Sequence, residues 1–238
     1  MLYILYYIMS GRKYFGKRKY NTIEKEKNDD NDLTKVIAEN LFGNMFDKKK
    51  KNKKDNEEVY REYNHIYFRS DVSVESIDEL LRCIREFEDE TNEIRCVPYS
   101  KYFTHPELYI HISSYGGDLY ASLMAYDTMK LKQYDVITIA EGFVASGGTI
   151  MMLGGKKRQI QKSAVMLIHQ LSTGMYGKFE ELKEDFHNSE QDMKRLVHIY
   201  HSELRGKMTK KQIADALKHD YWWDAKTCVN KGLCDEIL

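Results

Sequence analysis

The chain has 238 residues, enough for one sizeable core with appendages or at most two small domains. Thirty-seven Lys and Arg balance thirty-seven Asp and Glu, so bulk charge gives no footprint for nucleic acid, and only two prolines and fourteen glycines exclude a fibrous or low-complexity chain. The four cysteines, Cys83, Cys96, Cys228 and Cys234, lack metal-like CxxC pairing, so the expectation is reduced thiols in a cytoplasm-like compartment and no metal.

Met1–Met9 is strongly apolar, but it is less than half the length needed to cross a bilayer, and its positive charges follow rather than precede it. No integral membrane segment is expected. The run fits a strand, a membrane-surface contact, or sequence upstream of a start at Met9. Tyr20–Asp32 is polar and charged, and Lys48–Lys54 is almost all lysine. Between them, Val36, Ile37, Leu41, Met45 and Phe46 have the spacing of one short amphipathic helix. Residues 1–58 therefore read as a charged, flexible extension, and 59–238 as a globular domain.

In the globular part, His65–Phe68 reads as a strand, and Val74–Phe87 as a helix with Ile77, Leu80, Leu81, Ile84 and Phe87 on one face. Asn92–Pro106, which contains both prolines, is a long connection. Leu108–Ser113 is an apolar strand that leaves through the sharp turn Ser114-Tyr115-Gly116-Gly117 into a helix over Leu119–Leu131. Val136–Ala140 is a third strand, followed by a short helix over 146–153 that Gly154-Gly155 ends. Arg158–Gln161 and Ala164–His169 are two more strands, and Lys178–Arg205 is the longest helix. The helix Lys210–Leu217, the segment Tyr221–Trp223, the helix Ala225–Lys231 and Leu233–Leu238 close the chain. Strands alternating with helices at this spacing predict right-handed βαβ units and a largely parallel α/β sheet, whose sites form at the C-terminal strand ends.

Gly116-Gly117, Ser146 and His169 all fall just past such ends. Ser146, within Gly142-Phe143-Val144-Ala145-Ser146-Gly147-Gly148, is a small hydroxyl nucleophile where a buried strand turns into a helix, flanked by glycines that admit a substrate backbone. His169 follows twenty-three residues later. A serine and a histidine at two strand ends suggest nucleophilic acyl transfer. Each also has a plainer reading: Ser146 as a helix cap, His169 as a satisfied core histidine, and Asp220 as the cap of the last helix.

Ile112-Ser113-Ser114-Tyr115-Gly116-Gly117, Ala125–Met129, Gly142–Gly148, Val165–Gln170, Gly174-Met175-Tyr176-Gly177 and His219-Asp220-Tyr221-Trp222-Trp223 follow one another in this order. Through them, from Tyr60 to Leu238, the chain resembles the ClpP family, the peptidase subunit of ATP-dependent Clp proteases. The resemblance implies a ClpP/crotonase-like spiral of βαβ units with a protruding helical handle, here Lys178–Arg205. It implies Ser146 as nucleophile, His169 as general base and then acid, and Asp220 as the residue orienting the imidazole. Asp127, Asp135 and Asp224 are alternatives for the acid, Asp224 first. The Gly117 and Gly147 amides would form the oxyanion hole, and Gly116, Gly117 and Gln170 would take an extended substrate. Tyr115 and Leu171 stand where the family has proline, so a less rigid edge is expected at Tyr115.

The resemblance further implies a homo-oligomer, a heptamer or double heptamer. It also implies unfolded polypeptide substrates and an AAA+ Clp ATPase partner that uses the ATP, since this chain has no GxxxxGK[ST] loop and needs no cofactor of its own. Two other readings stay open: a catalytically silent ring subunit, and a crotonase-type acyl-CoA enzyme.

Overall fold

The structure is a computed structural model that describes residues 58–95 and 106–238. The segments expected at Met1–Met9 and Leu33–Phe46, the lysine run, Cys96 and most of the Asn92–Pro106 connection lie outside the described residues.

The described residues form an α/β fold around one eight-stranded sheet. β1 (Val59–Glu62) and β2 (His65–Phe68) make an antiparallel hairpin. β1 went unread in the sequence because VYRE shows no run of apolar residues. β3 (Glu107–Ser114) lies parallel to β2 and turns Leu108, Ile110, Ile112 and Ser114 inward, the period of two that a half-buried strand requires. Between them runs α1 (Val74–Arg95), two turns longer than the apolar periodicity predicts. Its core face ends at Phe87, and the polar continuation leaves no periodic trace in the sequence.

α2 (Leu119–Lys130) starts at Asp118, whose carboxylate accepts from Ala121 N at 2.7 Å. β4 (Asp135–Ala145) is about twice as long as Val136–Ala140. Its first half pairs with β5 (Lys157–Ile160) and its second half with β6 (Val165–Leu167), both parallel. The sheet therefore forks at Glu141-Gly142, where Gly142 takes φ +59°. That polar pair interrupts the apolar run, so the sequence shows only the first half of the strand. α3 (Gly147–Leu153) follows β4 and is wholly buried.

α4 (Phe179–Glu203) is only half docked. Leu196 and Tyr200 near its C-terminal end sit in the core, whereas Phe179 and Phe186 are 71% and 59% exposed. The apolar side chains of this helix thus divide, the later ones packed internally and the earlier ones left in solvent. α5 (Lys210–Ala216), β7 (Trp222–Asp224), α6 (Ala225–Lys231) and β8 (Glu236–Ile237) complete the chain. β7 runs antiparallel to β6, and β8 runs parallel to β5. Cys83, Cys228 and Cys234 are buried free thiols, and burial pushes Cys228 up to about 12, so it stays protonated. Among the described residues no helix is long and apolar enough to cross a membrane.

Candidate active site

The fork in β4 sets Ser146 between two neighbouring strand ends. Its amide donates to Leu167 O on β6 at 2.9 Å, and Gly116, past the end of β3, packs on its other side. Ser146 has φ 52° and ψ −125°, a conformation that costs a residue with a side chain about 1–3 kcal/mol. The strain turns the chain from β4 directly into α3. Ser146 occupies the N-cap position, yet its side chain makes no capping bond. The hydroxyl is not spent on the helix.

The twin glycines are required by close approach. A Cβ on Gly116, at φ +92°, would lie 2.6 Å from Ser146 Cβ, and one on Gly117 would lie 2.1 Å from Val72 O. Val72 N donates to Gly116 O and Asp118 N donates to Val72 O, each at 2.8 Å. Alternate groups of an extended segment face opposite edges, so the Gly117 N–H faces away from Val72. On that side a Cβ on Gly147 would come within 3.4 Å of Gly117 N, which makes the two amides neighbours. The ring of Tyr115, the residue that stands where the family has proline, stacks on Phe143 at 4.1 Å between centroids.

His169 lies two residues past the β6 ladder and is half-buried. With Gly117, Ser146, Gly147 and Gln170 it lines a cavity of about 240 Å³ whose deeper wall includes Leu196 and Tyr200. Asp220 is exposed and does not line this cavity. The β6–β7 ladder pairs Val165 with Asp224, Met166 with Trp223 and Leu167 with Trp222. The ladder ends at Leu167 and Trp222, and beyond it the bond from Gln170 N to Leu217 O at 2.7 Å ties the two segments together. Among the described residues no hydrogen bond joins Ser146 Oγ, the His169 ring and the Asp220 carboxylate.

The alternative acids are committed elsewhere or sit apart. Asp224 caps α6, accepting from Thr227 N at 2.8 Å; the last helix therefore already has its cap, and Asp220 is not it. Asp135 pairs with Lys156. Asp127 is exposed, about two turns along α2 from Leu119, the residue of that helix that lines the cavity.

Gln170 lines the cavity, but its N–H is used on Leu217 O, and Leu171 N points at Met193 Sδ at 3.1 Å. Thr149, Leu196 and Tyr200 were not picked out as site residues by sequence. The available signal was a polar-tipped Tyr200 within the apolar stripe of a helix. Among the described residues no group of three or more His, Cys, Asp or Glu is placed to hold a metal.

The family model for Clp protease matches residues 102–238. An ATP-dependent Clp protease proteolytic subunit of Streptococcus mutans is 34% identical over 139 residues, covering 56% of this chain and 68% of that protein. ATP-dependent Clp protease proteolytic subunit 3 of Streptomyces avermitilis is 31% identical over 134 residues, 56% of this chain and 60% of the relative. The corresponding subunit of one Bacteroides fragilis strain is 31% identical over 134 residues, 56% of this chain and 64% of the relative. The aligned part of the chain thus spans roughly 60% to two thirds of the length of these curated relatives.

Proposed function

The chain belongs to the Clp protease family, and on that premise we propose that it is a serine endopeptidase, the proteolytic subunit of an ATP-dependent Clp-type complex that cuts unfolded polypeptides into short peptides. The observation that carries this reading is the convergence of Ser146, His169, Gly117 and Gly147 on one cavity at the C-terminal strand ends. Ser146 Oγ attacks the scissile carbonyl and His169 takes its proton. The tetrahedral oxyanion rests on the Gly117 and Gly147 amides, each such donor contributing about 3 kcal/mol by analogy with measured oxyanion holes. His169 then protonates the leaving amine, and water, activated by the same imidazole, releases the acyl group. Asp220, two residues before β7, holds the ring's tautomer and stabilises its charged form once the side chains align. Such hydrogen bonds commonly tighten only in the substrate complex. Pairing of a substrate main chain along the Gly116–Gly117 edge reads little sequence, so broad specificity follows.

The same premise supports a ring-shaped homo-oligomer, with the exposed Phe179 and Phe186 on α4 covered between copies, and an AAA+ unfoldase that supplies the ATP. A catalytically silent subunit is the second reading. The exposure of Asp220, and the absence of a bond linking it to His169, favour it.

One experiment separates the two. A fluorophosphonate probe applied to the full chain, followed by native mass measurement, should label one serine per subunit and report the assembly. Ser146→Ala should remove the label and peptide hydrolysis while leaving the assembly mass unchanged. Undiminished labelling of that variant sinks the assignment, and absent labelling of the wild type selects the silent subunit.

A further inference from the structure

Tyr200 is 2% exposed on the docked half of α4, between the buried aliphatic side chains of Leu196 and of Leu204 just past the helix end. Packing alone asks for no hydroxyl there. The Tyr200 hydroxyl lies 2.6 Å from Thr149 Oγ1, and Thr149 Oγ1 donates to Ser146 O at 2.6 Å. A threonine hydroxyl has one proton. With that proton on Ser146 O, the Tyr200 O–H is the donor of the other bond. Burial pushes the phenol well above its ordinary pKa, so the donor keeps its proton.

Ser146 O also accepts from Thr149 N at 2.9 Å, so this carbonyl is held twice. The Ser146–Gly147 peptide is planar and trans, so its N–H points opposite to its C=O. Fixing Ser146 O against Thr149 therefore aims the Gly147 N–H away from α3 and toward the cavity. The strained Ser146 backbone persists only while its surroundings hold it.

We propose that Tyr200 is a positioning residue that acts through Thr149 to lock the Ser146–Gly147 peptide so that the Gly147 amide faces the reacting oxyanion. The catalytic consequence rests on the serine-peptidase reading; the locking itself does not. Through this chain of hydroxyls the docked half of α4 sets the geometry of the turn that bears the nucleophile.

The test uses the full chain with Tyr200→Phe, Thr149→Val, Thr149→Ser and the double variant Tyr200→Phe/Thr149→Val. On a fluorogenic peptide, Tyr200→Phe should lower kcat about tenfold with KM within about twofold, as expected when an interaction felt mainly in the transition state loosens. Thr149→Val should lower kcat at least as much, and Thr149→Ser, which keeps the hydroxyl, should stay within about threefold of wild type. The double variant should be no slower than Thr149→Val alone, because the two hydroxyls act in series. Hydrogen exchange at the Thr149 amide should accelerate in Tyr200→Phe.

An unchanged kcat in Tyr200→Phe, a loss confined to KM, or losses that multiply in the double variant would overturn the proposal. If Tyr200→Phe does not fold, the contrast between Thr149→Val and Thr149→Ser decides by the same measures. If the wild type neither hydrolyses peptide nor takes the probe, the peptidase reading has failed, and exchange decides the rest. Faster exchange at Thr149 in Tyr200→Phe then upholds the lock, and unchanged exchange overturns it.

Discussion

The amide of Ser146 donates to the carbonyl of Leu167 at 2.9 Å, two residues before His169. The proposed nucleophile is therefore hung on the strand that delivers the proposed base, and the two are positioned by one backbone bond rather than by separate loops. β7 extends the same arrangement on the far side of β6, so Asp220, His169 and Ser146 come from three adjacent strand ends.

Gly117→Ala should be among the most damaging single changes in the domain. The new Cβ would sit 2.1 Å from Val72 O at φ +150°, and backbone cannot give way as a flexible side chain can. Thermal unfolding should report a loss of about 3 kcal/mol or more, with hydrolysis gone. Gly174→Ala is the control: nothing lies within 4 Å of its Cβ, and stability should change by no more than about 0.5 kcal/mol.

Asp220 and Asp224 should separate cleanly. Asp220→Asn keeps the shape but presents the wrong partner to the imidazole, and should cut kcat by about a hundredfold or more while unfolding stays near wild type. Asp224→Ala should do the reverse, lowering the unfolding temperature with kcat largely kept. If Asp224→Ala proved the inactive variant, the acid would have been misassigned.

Stability in acid follows from the same cap. Hydrogen bonds from Thr227 hold the Asp224 carboxyl below its ordinary pKa. A depressed folded pKa gives stabilisation that is complete above the unfolded value of about 3.9 and is lost as pH falls through the lower folded value. Unfolding temperature measured from pH 6 to about pH 2 should therefore fall less steeply in Asp224→Ala than in wild type. Parallel curves would show that the cap does not titrate as argued.

Arg158 is 1% exposed, and its Nε and Nη2 have no hydrogen-bond partner among the described residues. Nη1 donates to Glu203 O at 3.0 Å, and the nearest carboxylate oxygen, on Asp235, is 3.5 Å from Nη2 and also paired with Arg205. A buried cation so incompletely served contributes little net stability. Arg158→Met should leave the unfolding free energy within about 1 kcal/mol of wild type or raise it. A loss above about 3 kcal/mol would mean the guanidinium is better satisfied than its contacts indicate.

Phe179→Glu with Phe186→Glu should reduce the assembly to smaller species on native mass measurement without lowering the subunit's unfolding temperature. Both side chains are exposed on the undocked half of α4, so the change costs the isolated fold nothing. An unaltered assembly would place the contact between copies elsewhere.

Much of this architecture was written locally. Alternation over Leu108–Ile112, the face Ile77–Ile84 and the Gly-Gly punctuation each report a nearest-neighbour preference, and each element they predicted is present. What escaped was locally silent. β1 and the tail of α1 are polar, and the second half of β4 is hidden behind Glu141-Gly142. At the site, Gly116-Gly117, Ser146 and His169 were visible because turns and strand ends carry glycine and a break in apolar pattern. Thr149 and Tyr200 were not, because a hydroxyl inside an apolar period looks like ordinary core until its partner, fifty-one residues away, is placed beside it.

The sequence by itself determined the order of strands and helices from His65 onward, the turn that carries Ser146 and the edge of the sheet where a site would form. These depend on periodicity and backbone preference within a few residues. The tertiary structure alone decided that Ser146 is strained and not capping, that Asp224 rather than Asp220 caps the last helix, and that β7 pairs with the strand that leads to His169. Register between β6 and β7 is set by hydrogen bonds across more than fifty residues of intervening chain, and no local pattern encodes such a pairing.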